Sequence, residues 1–384
     1  MVPQRMNSLA LARLKSEDQY RHLKLVQRRK DPYLWIDGKR LISFASNDYL
    51  GLAQEPRLIK AAIYALKREG VGASGSRLLS GHYDLHEELE RALAVWMGSE
   101  TSLVFPTGYM ANLGHLTALA GPKDLILSDE LNHASLIDAC RLTKAKVVVV
   151  PHRNVEWAAK YLRSSKKHRN VFLVTESIFS MDGDVAPLVD WNRLAVRHQA
   201  QLIVDEAHGL GVMGKRGRGV IEAMGLPRKN LIVMGTLSKA FGVMGGAVFC
   251  PRSVKEWMVN VSRPFIYTTA MAPALAAAAL AALPLVEAEE RRKRLWASVH
   301  QLRAGFHGLG IDTRDSMSPI VPMVVGDSKK TMKLAQQLWM KGIFAPGIRP
   351  PTVPMGTSRL RFSVTAHHTS QHIDRLLSVL NKIL

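Results

Sequence analysis

The stretch from residue 101 to residue 250 predicts an α/β domain built on a mostly parallel sheet covered by helices, and three features carry that expectation. Short apolar, β-branched runs recur at 102–105, 146–150, 171–175, 201–204, 231–234 and 247–250. They do not alternate with polar residues, which marks strands buried on both faces. Helix-like stretches separate most of them, and parallel strands need crossovers of that length.

The other elements follow in chain order. The first thirty residues are basic and helical in pattern, with Glu17 and Asp18 among them, and read as an N-terminal arm rather than a targeting leader. The longest apolar stretch, 271–286, contains Pro273 and Pro284 and is shorter than the roughly 18 residues of a spanning helix. No membrane segment is expected. A charged run, 287–294, leads into a helix marked by Leu295, Trp296 and Leu302. Beyond it, 320–325 reads as a strand, 328–341 as a helix stopped by Gly342, and 359–365 as a strand. In that last strand Leu360, Phe362 and Val364 alternate with Arg359, Arg361 and Ser363, so two arginines share one face and can hold an anion. Ile373, Leu376, Leu377, Leu380, Ile383 and Leu384 mark one side of a closing helix. A chain of 384 residues exceeds the roughly 50 to 250 of one domain. The expected organisation is an N-terminal arm over 1–45, a large domain over 46–286 and a smaller α+β domain over 287–384.

Composition narrows the class. Apolar residues at 47% and charged residues at 22% describe a globular chain and exclude collagenous or largely disordered readings. Cys140 and Cys250 are the chain's two cysteines, too few for a disulfide framework or a structural zinc site, so no metal is expected and a reducing, cytoplasmic setting fits. Lys and Arg total 52 against 32 Asp and Glu, giving a net charge of +20. Such a field attracts nucleic acid, anionic membrane, or acidic metabolites and carrier proteins, and by itself chooses none of them. A basic bias with no functional partner stands beside these readings on equal terms.

The chemistry concentrates at strand ends. The run Leu202 to His208 is an apolar strand followed by Asp205-Glu206-Ala207-His208, which puts the Asp205 carboxylate at the edge where ligands of open α/β sheets bind. The same four letters occur in nucleic-acid helicases. Those enzymes need a phosphate loop, and the nearest match, Gly209 to Arg216, ends in Arg and lies after the acidic strand, which counts against that reading. One strand later, 231–234 leads into Gly235-Thr236-Leu237-Ser238-Lys239-Ala240-Phe241-Gly242. A lysine in a glycine-rich turn, beside the hydroxyls of Thr236 and Ser238, suits a Schiff base with a phosphorylated aldehyde. A solvated turn lysine fits that segment equally well. Asp205 shifts the balance, because pyridoxal phosphate needs a carboxylate against its ring nitrogen.

From roughly Ser43 onward the chain resembles the α-oxoamine synthases, a branch of the fold-type I pyridoxal-phosphate enzymes. The resemblance rests on Asn47-Asp48-Tyr49-Leu50-Gly51-Leu52, Gly81-His82, Thr107-Gly108-Tyr109-Met110-Ala111-Asn112, Asn132-His133-Ala134-Ser135, Phe179-Ser180-Met181-Asp182-Gly183-Asp184, Asp205-Glu206-Ala207-His208-Gly209 and Thr236-Leu237-Ser238-Lys239, in the family's order. It implies that Lys239 holds the cofactor and later acts as base, that Asp205 pairs with the ring nitrogen and His208 with the ring oxygen. Alone, His133 reads as a loop histidine bonded to backbone; its motif implies stacking on the ring. Phosphate binding falls to Gly108 and Tyr109, with Thr236 and Ser180, and to Thr268 or Thr269 from a second subunit, which implies a homodimer. Asn47 and Arg361 are implied for the amino-acid carboxylate, with Arg359 as the competing arginine.

The run Ile348-Arg349-Pro350-Pro351-Thr352-Val353-Pro354 looks like the biotin-pathway branch of the family. That branch joins L-alanine to a pimeloyl thioester carried by coenzyme A or acyl carrier protein and releases CO2. Arg349 and Thr352, with Arg21 on the arm, are its implied acyl contacts. A glycine C-acyltransferase is the alternative within the family, and a nucleic-acid-binding protein the alternative outside it. The enzyme reading implies neither a nucleic-acid nor a membrane partner.

Overall fold

A computed structural model describes residues 4–17, 19–228 and 231–384; Asp18 and the first three residues of the expected arm lie outside these. The chain divides into two compact units. One takes the chain up to Ser46, with Met181–Gly183 and Arg294–Leu384, and the other takes Asn47–Ser180 and Asp184–Lys293.

The larger unit is organised by a seven-stranded sheet whose spatial order is Thr101–Phe105, Gly246–Cys250, Leu231–Thr236, Gln201–Asp205, Val171–Glu176, Leu125–Asp129 and Lys146–Val150. All neighbours pair in parallel except Gly246–Cys250, which runs antiparallel to both of its partners. That strand follows its predecessor through the glycine-rich turn after Thr236, with no helical crossover, and so reverses direction. The mostly parallel sheet is the one that the apolar runs predict. The Leu125–Asp129 strand has no counterpart among those runs, because Leu-Ile-Leu is followed at once by Ser128 and Asp129. Its pairing with 171–176 and 146–150 holds it in place despite the polar ending.

One face of this sheet packs Leu103, Phe105, Ile126, Val174, Ile203, Ile232, Met234 and Val248 against Ala111, Leu116, Leu136 and Ala139 of the helices Gly108–Leu119 and Ala134–Leu142. Each such leucine or isoleucine contributes about 1.5 to 3 kcal/mol on burial. At Gly235 a side chain would stand 2.1 Å from the Leu210 Cδ1 atom, so only glycine lets that leucine close over the strand.

The parallel strands also need their polar ends tied. His152, just after Lys146–Val150, shares hydrogen bonds with Asp129 at 2.9 Å and with Asp184 at 2.8 Å. Both carboxylates are buried. Its ring also meets Phe179 edge-on at 4.4 Å. The clamp therefore joins the ends of two strands to the turn 178–185, whose arms are bridged at Ile178 and Val185.

In the smaller unit, Ile320–Gly326, Ser358–Ser363 and Gly347–Ile348 form an antiparallel sheet. The expected alternation along Ser358–Ser363 holds in register, but the strand is buried on both faces. Lys39–Ser43 pairs in parallel with Ile343–Phe344, which brings the N-terminal hairpin and the C-terminal part into one body. The helix Ser370–Ile383 closes it with Ile373, Leu376 and Leu380 buried. Among the described residues, no helix is long and apolar enough to cross a membrane.

The His152 clamp has a pH signature. Burial works against the charged imidazole, but the bonds to Asp129 and Asp184 outweigh it and raise the pKa to about 9. A raised folded-state value stabilises the fold fully below the unfolded value of 6.5 and is lost as pH rises through about 9. Urea denaturation of His152→Gln is expected to show a loss of about 3 kcal/mol at pH 6 that shrinks toward zero above the folded pKa. A penalty independent of pH would mean that the imidazole is not charged.

Candidate active site

The carboxyl ends of the parallel strands set out the site. Val171–Glu176 and Gln201–Asp205 finish side by side, with Glu176 paired to Asp205 in register, and Leu231–Thr236 ends beside them. Asp205 is buried, with 4% of its surface exposed. Its carboxylate accepts hydrogen bonds from Asn112 Nδ2 at 2.9 Å and from the Ala207 N–H at 2.8 Å. Both of these donors are neutral. A buried carboxylate held by neutral N–H donors suits a cationic N–H from a bound ring.

Lys239 sits in the turn after Thr236, half-buried, and its charge reaches both His133 and Glu176. The imidazole of His133 is lowered in pKa first by burial; the Asp205 charge opposes the shift and the Lys239 charge adds to it. Three of the expected residues therefore share one electrostatic neighbourhood. His133 caps the helix Ala134–Leu142 and takes the Ser135 N–H at 3.2 Å on Nδ1, while the Ser135 hydroxyl lies 2.8 Å from that nitrogen. Asn112 Nδ2 reaches the Ser135 hydroxyl at 2.8 Å as well as Asp205. A continuous chain, Asp205–Asn112–Ser135–His133, thus joins the acid to the imidazole.

His208 is buried and shares a 2.6 Å hydrogen bond with the Tyr49 hydroxyl, which also donates to Asn47 Oδ1 at 3.3 Å. Gly108 opens the helix Gly108–Leu119, and a side chain there would meet Thr236 Cβ and Oγ1 at 3.3 Å. The helix N-terminus and the Thr236 hydroxyl consequently face one spot, where exposed N–H groups favour an anion. The Tyr109 ring stands edge-on to His133 at 6.4 Å, and its hydroxyl donates to Asp138. Ser180 lies in the turn 178–185. Thr268 and Thr269 follow the helix Arg263–Ile266, half-buried and exposed respectively, and make no hydrogen bond among the described residues.

The other expected residues belong to the smaller unit. Arg21 donates to the Thr352 hydroxyl at 3.1 Å, and Arg349 donates to the Tyr20 carbonyl at 2.6 Å. The N-terminal segment and the 349–352 loop are thereby joined. Arg359, the competing carboxylate binder, is buried and bonded to Asp182, whereas Arg361 donates to the Ser363 hydroxyl at 2.7 Å.

Comparison with known proteins gives this geometry a family. The profile described as "Aminotransferase class I and II" matches residues 39–380. The 8-amino-7-oxononanoate synthase of Trichlorobacter lovleyi is 40% identical, covering 100% of this chain and 98% of that protein. The chain belongs to the 8-amino-7-oxononanoate synthase family of class I and II aminotransferases. A solved structure of SPT with PLP is 34% identical with a TM-score of 0.94, over 100% of this chain and 98% of that one. An 8-amino-7-oxononanoate synthase from Francisella tularensis is 28% identical with a TM-score of 0.78, over 89% and 97%. The scaffold is thus shared between branches whose names carry different substrates.

Sequence reasoning passed over Tyr49, Asn112, Ser135 and Glu176 as site residues. The first three lie inside motifs already quoted, and a polar residue buried in such a motif was the available signal. Glu176 carried a weaker one, an acid ending an apolar strand as Asp205 does.

Removing the Tyr49 hydroxyl tests the His208 support. Tyr49→Phe leaves a buried imidazole nitrogen without its partner and is expected to cost about 1 to 3 kcal/mol in urea denaturation. A change near zero would show that the hydroxyl does not hold the imidazole.

Proposed function

We propose that this chain is an 8-amino-7-oxononanoate synthase of biotin biosynthesis, a pyridoxal-phosphate enzyme that condenses L-alanine with a pimeloyl thioester and releases CO2 and the free thiol. The observation that carries the reading is the electrostatic neighbourhood of Lys239, His133 and Asp205 at the sheet's carboxyl edge. The names of the sequence relatives support it. The site's donor set also fits the cofactor: a buried carboxylate held by neutral N–H donors, a helix N-terminus facing a threonine hydroxyl, and a lysine amine whose charge reaches the same strand edge.

When bound, pyridoxal phosphate supplies a cationic ring that accepts the electron pair left at the α-carbon of alanine. Lys239 Nζ would hold the cofactor and, as a free amine, would take the α-proton of alanine as general base. Asp205 keeps the proton on the ring nitrogen, and the two N–H donors to its carboxylate hold it in place. His208, steadied by Tyr49, donates to the ring oxygen. His133 covers one face of the ring, its orientation fixed through Ser135. The N–H groups of Gly108 and Tyr109 and the hydroxyls of Thr236 and Ser180 bind the phosphate, joined by Thr268 or Thr269 of a second subunit in a homodimer.

Asn47 and Arg361 bind the amino-acid carboxylate, since a guanidinium pairs bidentately with it. Arg359 is already bonded to Asp182, which favours Arg361. The loop bearing Arg349 and Thr352, with Arg21 bonded to it, receives the acyl chain. The +20 charge raises encounter rates with coenzyme A or an acidic carrier protein. Cys140 and Cys250 are free, and burial pushes their thiols up to about 11 and about 12, which suits a cytoplasmic protein whose cysteines take no part in the reaction.

Purified protein supplied with pyridoxal phosphate is expected to be yellow and to form product with pimeloyl thioester and alanine in preference to glycine or serine. Lys239→Ala is expected to lose at least about a thousandfold in turnover and to lose borohydride-fixed cofactor. Full turnover in that variant would remove the mechanism, and a preference for glycine or serine would move the chain to another branch.

A further inference from the structure

Glu176 is the residue at the sheet edge for which the mechanism has no use. It ends the strand beside Asp205, paired with it in register, and only 2% of its surface is exposed. The His133 N–H bonds to its carboxyl, yet its Oε1 atom is buried without a partner. Asp205 differs, because each of its oxygens accepts an N–H. Two neighbouring buried carboxyls seldom ionise together, and the one with fewer donors keeps the proton. An unpartnered Oε1 is also costly as part of an anion but serviceable as a donor. We propose that Glu176 keeps its proton at neutral pH and acts as a positioning residue, offering an O–H donor to whatever binds among Asp205, His133 and Lys239.

The surrounding charges agree. Burial raises the Glu176 pKa well above the ordinary range, the charges of Asp205 and Asp129 add to it, and Lys239 and the His133 N–H oppose it. Those groups face it from the two strands that flank it, the lysine turn and the start of the 134–142 helix.

The test separates the proton from the proposed function. Urea denaturation of the full chain without ligand is run from pH 5 to pH 8 for wild type and Glu176→Gln. A proton kept only in the folded state makes wild type lose stability relative to the variant above the free-glutamate value of about 4.3, by about tenfold in the unfolding constant per pH unit. A difference that stays flat with pH overturns the proposal. If Glu176→Gln does not fold, Glu176→Met reports the same slope. If neither neutral variant folds while Glu176→Asp does, the charge itself is required and the proposal is overturned. Titration with pyridoxal 5'-phosphate reads the positioning role. Glu176→Ala is expected to weaken binding about tenfold and Glu176→Gln, which still donates, to restore it; equal losses in both overturn the donor role. If wild type does not bind the cofactor, the functional reading fails, while the pH slope still decides the proton.

Discussion

Parallel strands that finish on a common edge present their last side chains, and the positive ends of the following helices, to the same volume. Here the last residues of four strands, Asp129, Glu176, Asp205 and Thr236, are three acids and a threonine, and the turn after one strand carries a lysine. Unlike and like charges are therefore held close together in a largely buried place, where their interaction is much stronger than in water. Nearly every feature of the site answers that constraint. Asn112 and Ala207 satisfy Asp205, Tyr49 satisfies His208, and Ser135 satisfies His133. The same physics at the sheet's outer strands produces the His152 clamp, in which one imidazole bonds two buried aspartates and Arg153 adds a second cation at Asp184.

In the proposed reading these partners sit behind the residues that meet ligand and so set orientation rather than substrate. That agrees with the comparisons: one scaffold superposes on serine palmitoyltransferase as well as on an 8-amino-7-oxononanoate synthase. Substrate choice must come from parts that differ between branches. We assign that part to the 349–352 loop, which is tied to Arg21 and Tyr20.

Much of this was legible in the sequence, for identifiable reasons. Unalternated apolar runs can satisfy their surroundings only as strands covered on both faces, so the parallel sheet followed from them. Asp205 and Lys239 each stand just beyond such a run, and adjacent strands bring adjacent ends together. Leu125–Asp129 escaped because its apolar portion is short and its stability comes from neighbours on both sides. Arg359 and Arg361 were indistinguishable as letters two apart on one face. Their difference lies in Asp182, which arrives from a distant turn to occupy one of them.

The sequence by itself determined most of the strands and helices of the parallel sheet, the residues at their ends, and the family to which those residues point, because periodicity and local motifs are properties of neighbours along the chain. Only the tertiary structure decided which polar groups became partners: Tyr49 with His208, Asn112 with Asp205, Arg21 with Thr352. It also decided that Glu176 would share Asp205's buried edge with one oxygen unsatisfied. Hydrogen bonds and desolvation depend on distances of a few ångströms between segments far apart in the chain. Such distances exist only after the sheet has closed.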